Sequence, residues 1–170
     1  MKRDDPLVKE ALGAELGHEA RSRSDDHLAL KLWLRLLSCT TQIETELRRR
    51  LRKRFQITLG QFDYMAQLYR CPDGLAMGDL TRRLMVTGGS VTGTTDDLEV
   101  AGIVTRESIP SDRRTWIIRL TEAGKRNFEV MAVEHEQWLL ELIGTLDERS
   151  AKTLHRELGA LRMHLSARDK

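Results

Sequence analysis

The sequence has few cysteines and no long apolar run. Cys39 and Cys71, its two cysteines among 170 residues, are too few for a disulfide framework and fit a reducing compartment. No stretch approaches the roughly 18 uninterrupted apolar residues that a membrane-spanning helix needs. The N-terminal residues carry Asp4, Asp5 and Glu10 close behind two basic residues, so they lack the apolar core of a signal peptide. We therefore expect a cytoplasmic protein with no membrane partner.

Catalytic and metal-binding patterns are also missing. The five histidines show no paired ligand spacing, which predicts no metal site. The sequence has no Walker loop, no nucleophile elbow and no convincing carboxylate pair, so we expect neither an enzyme nor a bound cofactor. The net charge of +2 and the isoelectric point of about 8.7 are only mildly basic. Composition therefore permits a nucleic-acid partner without demanding one.

The length suits one domain with a hydrophobic core of its own. Residues 1–26 are charged and of mixed sign. They are predicted to form an N-terminal arm that is either partly disordered or helical and laid across a partner subunit. Residues 27–170 are predicted to form a single domain, in which 57–120 make a compact lobe. Residues 27–56 and 121–170 are predicted to be dimerisation helices.

Apolar residues at helical spacing predict the long helices on both sides of the lobe. The first runs from about residue 27 to residue 55 with the stripe Leu28, Leu32, Leu36, Cys39, Ile43, Leu47 and Leu51. The helices after Thr121 carry the seams Phe128, Met131, His135, Trp138 and Leu142, then Leu154, Leu158, Leu161 and Leu165. One small monomer cannot cover this surface, so we expect a twofold dimer. The basic residues 48–54 complement the helix dipole or contact phosphates.

Short helices are predicted inside the lobe. Thr58 and Gln61 form a capping box that opens the first of them. The second, residues 77–84, exposes Arg82 and Arg83, which suit contacts with a phosphate backbone.

The next helix, from Thr87 to Gly102, has poor intrinsic stability. Thr87 is a good N-cap and Gly102 a good C-terminal stop. Each of the glycines at 88, 89 and 93 costs a helix roughly 1 kcal/mol relative to alanine. Such a helix survives only if its surroundings hold it, through the face Val91, Thr94, Thr95 and Leu98. Its small outer residues suit the close approach of a large partner, or alternatively of a neighbouring helix: Gly89, Ser90, Thr92 and Gly93.

A basic-tipped hairpin follows this helix. Residues 103–109 and 115–120 read as strands, and residues 110–112 supply turn chemistry between them. Arg113 and Arg114 therefore lie near the tip. A helix for the major groove followed by an arginine-tipped hairpin for the minor groove is a winged helix-turn-helix. The predicted fold class is mainly α with a small β-hairpin.

Several ordered blocks of this sequence resemble the MarR family of bacterial transcription regulators. The resemblance covers about residues 28 to 165. Its blocks are Ile57-Thr-Leu-Gly-Gln-Phe, Leu80-Thr-Arg-Arg-Leu, Thr87 to Glu99, Ala101-Gly-Ile-Val, Pro110-Ser-Asp-Arg-Arg and Leu120-Thr-Glu-Ala-Gly. It implies a homodimer that binds pseudo-palindromic double-stranded DNA operators and releases them when a small molecule binds.

The resemblance also assigns DNA-contacting residues. They are Arg82, Arg83, Thr87, Gly89, Ser90, Thr92, Gly93, Thr94, Asp112, Arg113 and Arg114. Asp112 is expected to hold Arg114 for the minor groove. The sequence departs from many relatives because residues 86–104 contain no Lys or Arg, whereas Asp96, Asp97 and Glu99 are acidic. This departure argues against bidentate readout of guanine.

In the MarR family an effector pocket lies where the dimerisation helices meet the lobe. The expected walls are Trp33, Arg35, Leu36, Cys39, Thr40, Phe62, Met65, Phe128 and Met131, although ordinary core packing is the alternative for each. Apolar walls with a few polar groups fit an aromatic effector. The sequence looks like the branch that senses aromatic acids or their CoA thioesters.

The sequence therefore predicts a cytoplasmic, dimeric, ligand-responsive repressor. Two alternatives remain open. The acidic recognition helix suits a winged-helix protein-interaction module that does not bind DNA. Cys39 on the first helix suits a thiol-based redox sensor.

Overall fold

The computed structural model describes residues 28–109 and 112–168. Its elements are α1 (Leu28–Phe55), α2 (Leu59–Tyr69), β1 (Leu75–Ala76), α3 (Met77–Leu84), α4 (Gly88–Val100), β2 (Val104–Ile109), β3 (Asp112–Leu120), α5 (Glu122–Ile143) and α6 (Glu148–Arg168). The predicted fold class is confirmed. The predicted N-terminal arm, residues 1–26, lies outside the described residues. Over the ranges described, each helix is too short or too polar to cross a membrane.

The chain separates into two compact units, with the boundary between Lys53 and Arg54. The first contains most of α1. The second contains the end of α1, every later helix and the sheet. Within the second unit, the strands form one antiparallel sheet in the order β1-β3-β2.

Strand β1 is not expected from the sequence, and it makes the predicted hairpin a three-stranded sheet. Leu75 pairs with Ile118, and Ala76 pairs with Ile117. Gly74 makes this pairing possible because its φ is +83° and a Cβ there would lie 2.6 Å from the carbonyl oxygen of Ile118. A two-residue strand is too short to show an alternating pattern, so the sequence does not predict it.

The core of the second unit lies between α2, α5 and the sheet. Phe62 stacks on His135 with ring centroids 4.4 Å apart, and it also contacts Phe128 at 5.4 Å. The predicted capping box is confirmed, because Thr58 N donates to Gln61 Oε1 at 2.9 Å and Gln61 N donates to Thr58 Oγ1 at 3.1 Å. These local bonds set the start of α2, and the aromatic contacts attach α5 to it.

Helix α4 is held by its buried face, as its composition requires. Val91, Thr95 and Leu98 are buried. Thr95 Oγ1 donates to the carbonyl oxygen of Val91 at 2.7 Å and lies 2.5 Å from the buried hydroxyl of Tyr64 on α2. The Thr95 proton is used in the first bond, so Tyr64 donates in the second. Burial raises the pKa of Tyr64, which keeps this hydroxyl protonated as a donor.

Replacing Tyr64 tests this attachment. Y64F removes the donor to Thr95, so we expect the free energy of unfolding to fall by about 1 kcal/mol, the usual net value of such a bond. Urea denaturation measures this. Y69F is the matched control because its exposed hydroxyl donates to Glu129 at 2.8 Å, and we expect a smaller decrease there. Equal decreases in the two variants would contradict the special role of the buried bond.

His135 makes the second unit sensitive to acid. Burial lowers its pKa below the ordinary value of 6.5, so the unfolded chain binds this proton more readily than the folded chain. The contribution of neutral His135 to the free energy of unfolding is therefore complete above its ordinary pKa of 6.5. This contribution is lost as the pH falls below that value toward the lower pKa of the folded protein. In H135F, which keeps a ring against Phe62, we expect the melting temperature to fall less between pH 7 and pH 5 than in the wild type.

The control is H155F, on the exposed α6, which should retain the wild-type drop in melting temperature. If H135F shows the same drop as the wild type, acid acts on other groups.

Candidate nucleic-acid interface

Helices α3 and α4 form a helix-turn-helix whose first helix presents two arginines to solvent. The side chains of Arg82 and Arg83 are exposed, as predicted. Arg82 forms an ion pair with Asp79 one turn earlier, and Arg83 Nη1 lies 3.5 Å from Cys71 Sγ. The turn between the helices passes through Met85, which has a φ of +53°. This left-handed residue ends α3 and turns the chain toward α4.

The outer face of α4 is open. Gly89, Ser90, Thr92 and Gly93 are exposed, and a Cβ added at either glycine would meet no heavy atom within 4 Å. Thr87 caps the helix, since its side chain accepts from Ser90 N at 3.3 Å. Within the described residues, therefore, these glycines do not serve to admit a neighbouring helix. Thr94 is half-buried and lies at the edge of this face.

The acidic residues of α4 have a partner that the sequence does not indicate. Arg106 of β2 forms ion pairs with Asp96 and with Glu99, and its Nε lies 3.0 Å from Glu99 Oε2. That N–H does not point at an acceptor within the described structure, so the contact with Glu99 is ionic rather than a hydrogen bond. Ten residues separate Arg106 from Asp96, and only the turn into β2 brings them together.

The wing is a hairpin of β2 and β3. Its pairs run from Val104 with Leu120 to Ile109 with Asp112, with an irregularity at Ser108 and Ile109. The backbone of Asp112, Arg113 and Arg114 begins β3, whereas their side chains lie outside the described residues. The predicted contact between Asp112 and Arg114 therefore stays a prediction.

The arginines at the end of α1 are partly neutralised within their own helix. Arg48 lies 2.5 Å from Glu44. Arg49 and Arg50 both lie 2.6 Å from Glu46, and their hydrogen bonds lower the pKa of Glu46 to about 2. This charge pairing reduces the positive potential that a phosphate partner would meet there.

The expected effector-pocket residues are divided between the two units. Trp33, Arg35, Leu36, Cys39 and Thr40 belong to the first unit, where Trp33 is 57 % exposed and Cys39 is an exposed free thiol. In the second unit, Phe62 and Phe128 are buried against each other, which agrees with the core-packing alternative for these two. Met65 and Met131 are also buried, and both reach the wall of a cleft.

This cleft has a volume of about 440 Å³ and lies beside the C-terminal end of α4. Its apolar walls are Phe55, Ile57, Met65, Leu98, Ala101, Ile103, Val130 and Met131, and its polar groups are Gln56, Gln61, Asp97 and Asn127. Asp97 is the one charged residue in this lining. No group of three potential metal ligands occurs in the part of the chain that the structure describes.

Comparisons with known proteins agree with this architecture. The MarR family model matches residues 57–116. An HTH-type transcriptional regulator of Bacillus cereus is 32 % identical over 105 residues, which are 62 % of this chain and 68 % of the relative. Across this and two other relatives, the match covers 66 % to 69 % of the relative's length, about two thirds.

Solved structures show the same fold. AbsC, a MarR family transcriptional regulator from Streptomyces coelicolor, matches with a TM-score of 0.74 at 23 % identity, over 86 % of this chain and 99 % of AbsC. Sco3205, a MarR family transcriptional regulator of the same organism that was solved in complex with DNA, matches with a TM-score of 0.74 at 21 % identity, over 85 % and 91 % of the two chains. This chain therefore belongs to the MarR family, a family of winged helix-turn-helix transcription regulators and not of enzymes.

Proposed function

We propose that this protein is a homodimeric repressor that binds a pseudo-palindromic DNA operator and leaves it when a small molecule binds. The observation that carries the proposal is the exposed face of α4, where the glycines meet no neighbour. That face costs the helix stability and packs against nothing in the described structure. A DNA duplex is the partner that fits this face, because the second helix of a winged helix-turn-helix enters the major groove.

In the proposed complex, different elements supply affinity and sequence readout. The exposed guanidinium groups of Arg82 and Arg83 approach phosphates, which contribute salt-dependent affinity. Ser90 and Thr92 on α4 reach base edges and thymine methyl groups, because no long side chain keeps the helix away from the groove floor. The DNA complex of the related Sco3205 supports this arrangement.

Exposed apolar rows on two helices support the dimeric part of the proposal. α1 exposes Leu28, Leu32, Trp33 and Leu37, whereas α6 exposes Leu154, Leu158, Leu161 and Leu165. Apolar rows of this kind mark association surfaces. A twofold dimer places two α4 helices about 34–36 Å apart, in successive major grooves on one side of the duplex.

Replacing both exposed arginines of α3 tests DNA binding. We expect R82Q/R83Q to bind more weakly, by a similar factor for the operator and for an unrelated duplex, because phosphate contacts carry no sequence information. The slope of log K against log salt should become shallower by about 0.9 for each phosphate that the variant no longer neutralises. Fluorescence anisotropy at several salt concentrations measures both, with a duplex that the wild type selects from a random library.

The control is K152Q/R156Q, which removes the same charge from exposed residues of α6 and should bind like the wild type. Light scattering should give each variant twice the chain mass of 19.5 kDa. If the wild type selects no duplex, the regulator hypothesis is wrong, and the protein-interaction module is the better interpretation.

We further propose that the effector occupies the cleft beside α4. Its volume of about 440 Å³ falls in the range of about 300–1,000 Å³ for small-molecule sites. Asp97, Leu98 and Ala101 of the α4 end form one wall, so a ligand there acts on the recognition helix directly. By linkage, ligand and DNA then weaken each other by the same factor.

The charge of the lining bears on the effector's chemistry. Asp97 is acidic, and the other polar lining residues are amides. A neutral or cationic aromatic ligand therefore fits this cleft better than the aromatic acid or CoA thioester that the family resemblance implies, because a carboxylate would lie near Asp97 without a cation in the lining.

A thermal-shift comparison of an aromatic acid, its amide and the corresponding amine tests this choice. We expect the amide or the amine to raise the melting temperature, since a ligand at 100-fold its dissociation constant adds about 2.7 kcal/mol of stability. In D97N the preference for the amine over the amide should disappear. If the acid alone stabilises the protein, the effector lies elsewhere and the aromatic-acid branch is the better assignment.

A further inference from the structure

Three acidic residues on the recognition helix create an electrostatic problem for DNA binding. Asp96, Asp97 and Glu99 are residues of α4, the helix that approaches the duplex in the proposed complex, and residues 86–104 contain no Lys or Arg. Carboxylates in that position repel the phosphate backbone. Affinity can therefore be retained only if another element compensates for this charge.

Arg106 is placed to do this. It lies on β2 opposite Ile118 of β3, and its side chain is only 20 % exposed. The carboxylates that it pairs with are more accessible, 57 % for Asp96 and 43 % for Glu99. The less exposed Arg106 side chain thus pairs with two more exposed carboxylates and offsets their charge.

Only a short turn connects the helix that carries Asp96 and Glu99 to the strand that carries Arg106. Helix α4 ends at Val100, and Ile103 N donates to the carbonyl oxygen of Leu98 at 2.9 Å. Gly102, with a φ of +70°, turns the chain from the helix into the first wing strand. The ion pairs therefore join the recognition helix to the wing close to the turn that also connects them along the chain.

We propose that Arg106 is a positioning residue for DNA recognition: its ion pairs with Asp96 and Glu99 mask the acidic side of α4 and hold the helix against the wing strand. The proposal rests on the proposed DNA-binding function. It explains how a recognition helix without a basic residue approaches a duplex.

A double-mutant cycle tests the proposal. The probe is the duplex that the wild type selects from a random library, and anisotropy measures its dissociation constant for R106Q, for D96N/E99Q and for the triple variant. R106Q leaves two carboxylates unmasked, so we expect binding at least tenfold weaker. In the D96N/E99Q background, the same change should alter the dissociation constant less than threefold, because the two carboxylates that pair with Arg106 are no longer charged.

Two further variants keep the result interpretable. R119Q breaks a comparable ion pair with Glu107 within the same sheet and should bind within threefold of the wild type. R106K retains the charge, so it should recover most of the affinity that R106Q loses. Circular dichroism shows whether R106Q folds. If it does not, R106K and the triple variant R106Q/D96N/E99Q carry the test. We expect R106K to bind within about threefold of the wild type, and the triple variant to bind within about threefold of D96N/E99Q.

The outcomes separate this inference from the proposed function. If R106Q weakens binding equally in both backgrounds, or if R106K binds as weakly as R106Q, Arg106 does not act through the two carboxylates and the proposal is wrong. If the wild type selects no duplex at all, the proposed function itself fails.

Discussion

The recognition helix α4 depends on a small set of contacts made by its buried face. Its glycines each cost roughly 1 kcal/mol relative to alanine, so the intrinsic stability of the helix is low. Stability comes instead from Val91 and Leu98 in the core and from the buried hydroxyl pair of Tyr64 and Thr95, 2.5 Å apart. The position of the helix is thus set by the elements on which it packs, α2, α3 and β2, rather than by its own sequence.

This arrangement separates the residues that stabilise α4 from those available to a partner. The buried face is apolar and hydrogen-bonded, whereas the outer face carries small residues without neighbours in the described structure. The charged groups lie around that face: Arg82 and Arg83 on α3 are exposed, and Arg106 on β2 offsets two carboxylates of α4. In the proposed regulator, this surface lets the backbone of α4 come close to a DNA groove, and the arginines at its margin are the proposed phosphate contacts.

The C-terminal end of α4 borders a cleft that a small molecule can enter. The cleft beside Asp97, Leu98 and Ala101 and the pair of Arg106 with Glu99 lie within a few residues of each other along α4. A ligand in the cleft would therefore contact the C-terminal end of a helix whose intrinsic stability is low. In the proposed regulator, a shift of α4 would change its alignment with both the wing and the DNA groove.

Local chemistry allowed much of the fold to be predicted. The Thr58 capping box, the Thr87 N-cap and the stop at Gly102 all occur as expected, because each depends on atoms a few residues apart. The exposure of Arg82 and Arg83 followed in the same way from helical periodicity. These signals determined the helices, the hairpin and the outer face of α4 without any knowledge of the core.

Tertiary structure alone decided the features that join distant segments. Strand β1 forms only because β3 lies beside it. Tyr64 meets Thr95 across 31 residues, and Arg106 meets Asp96 because the turn at Gly102 folds β2 back along α4. The division of the expected pocket residues between core, cleft and first unit depends likewise on packing. Such contacts are set by the relative placement of whole elements, and neither periodicity nor capping records that placement.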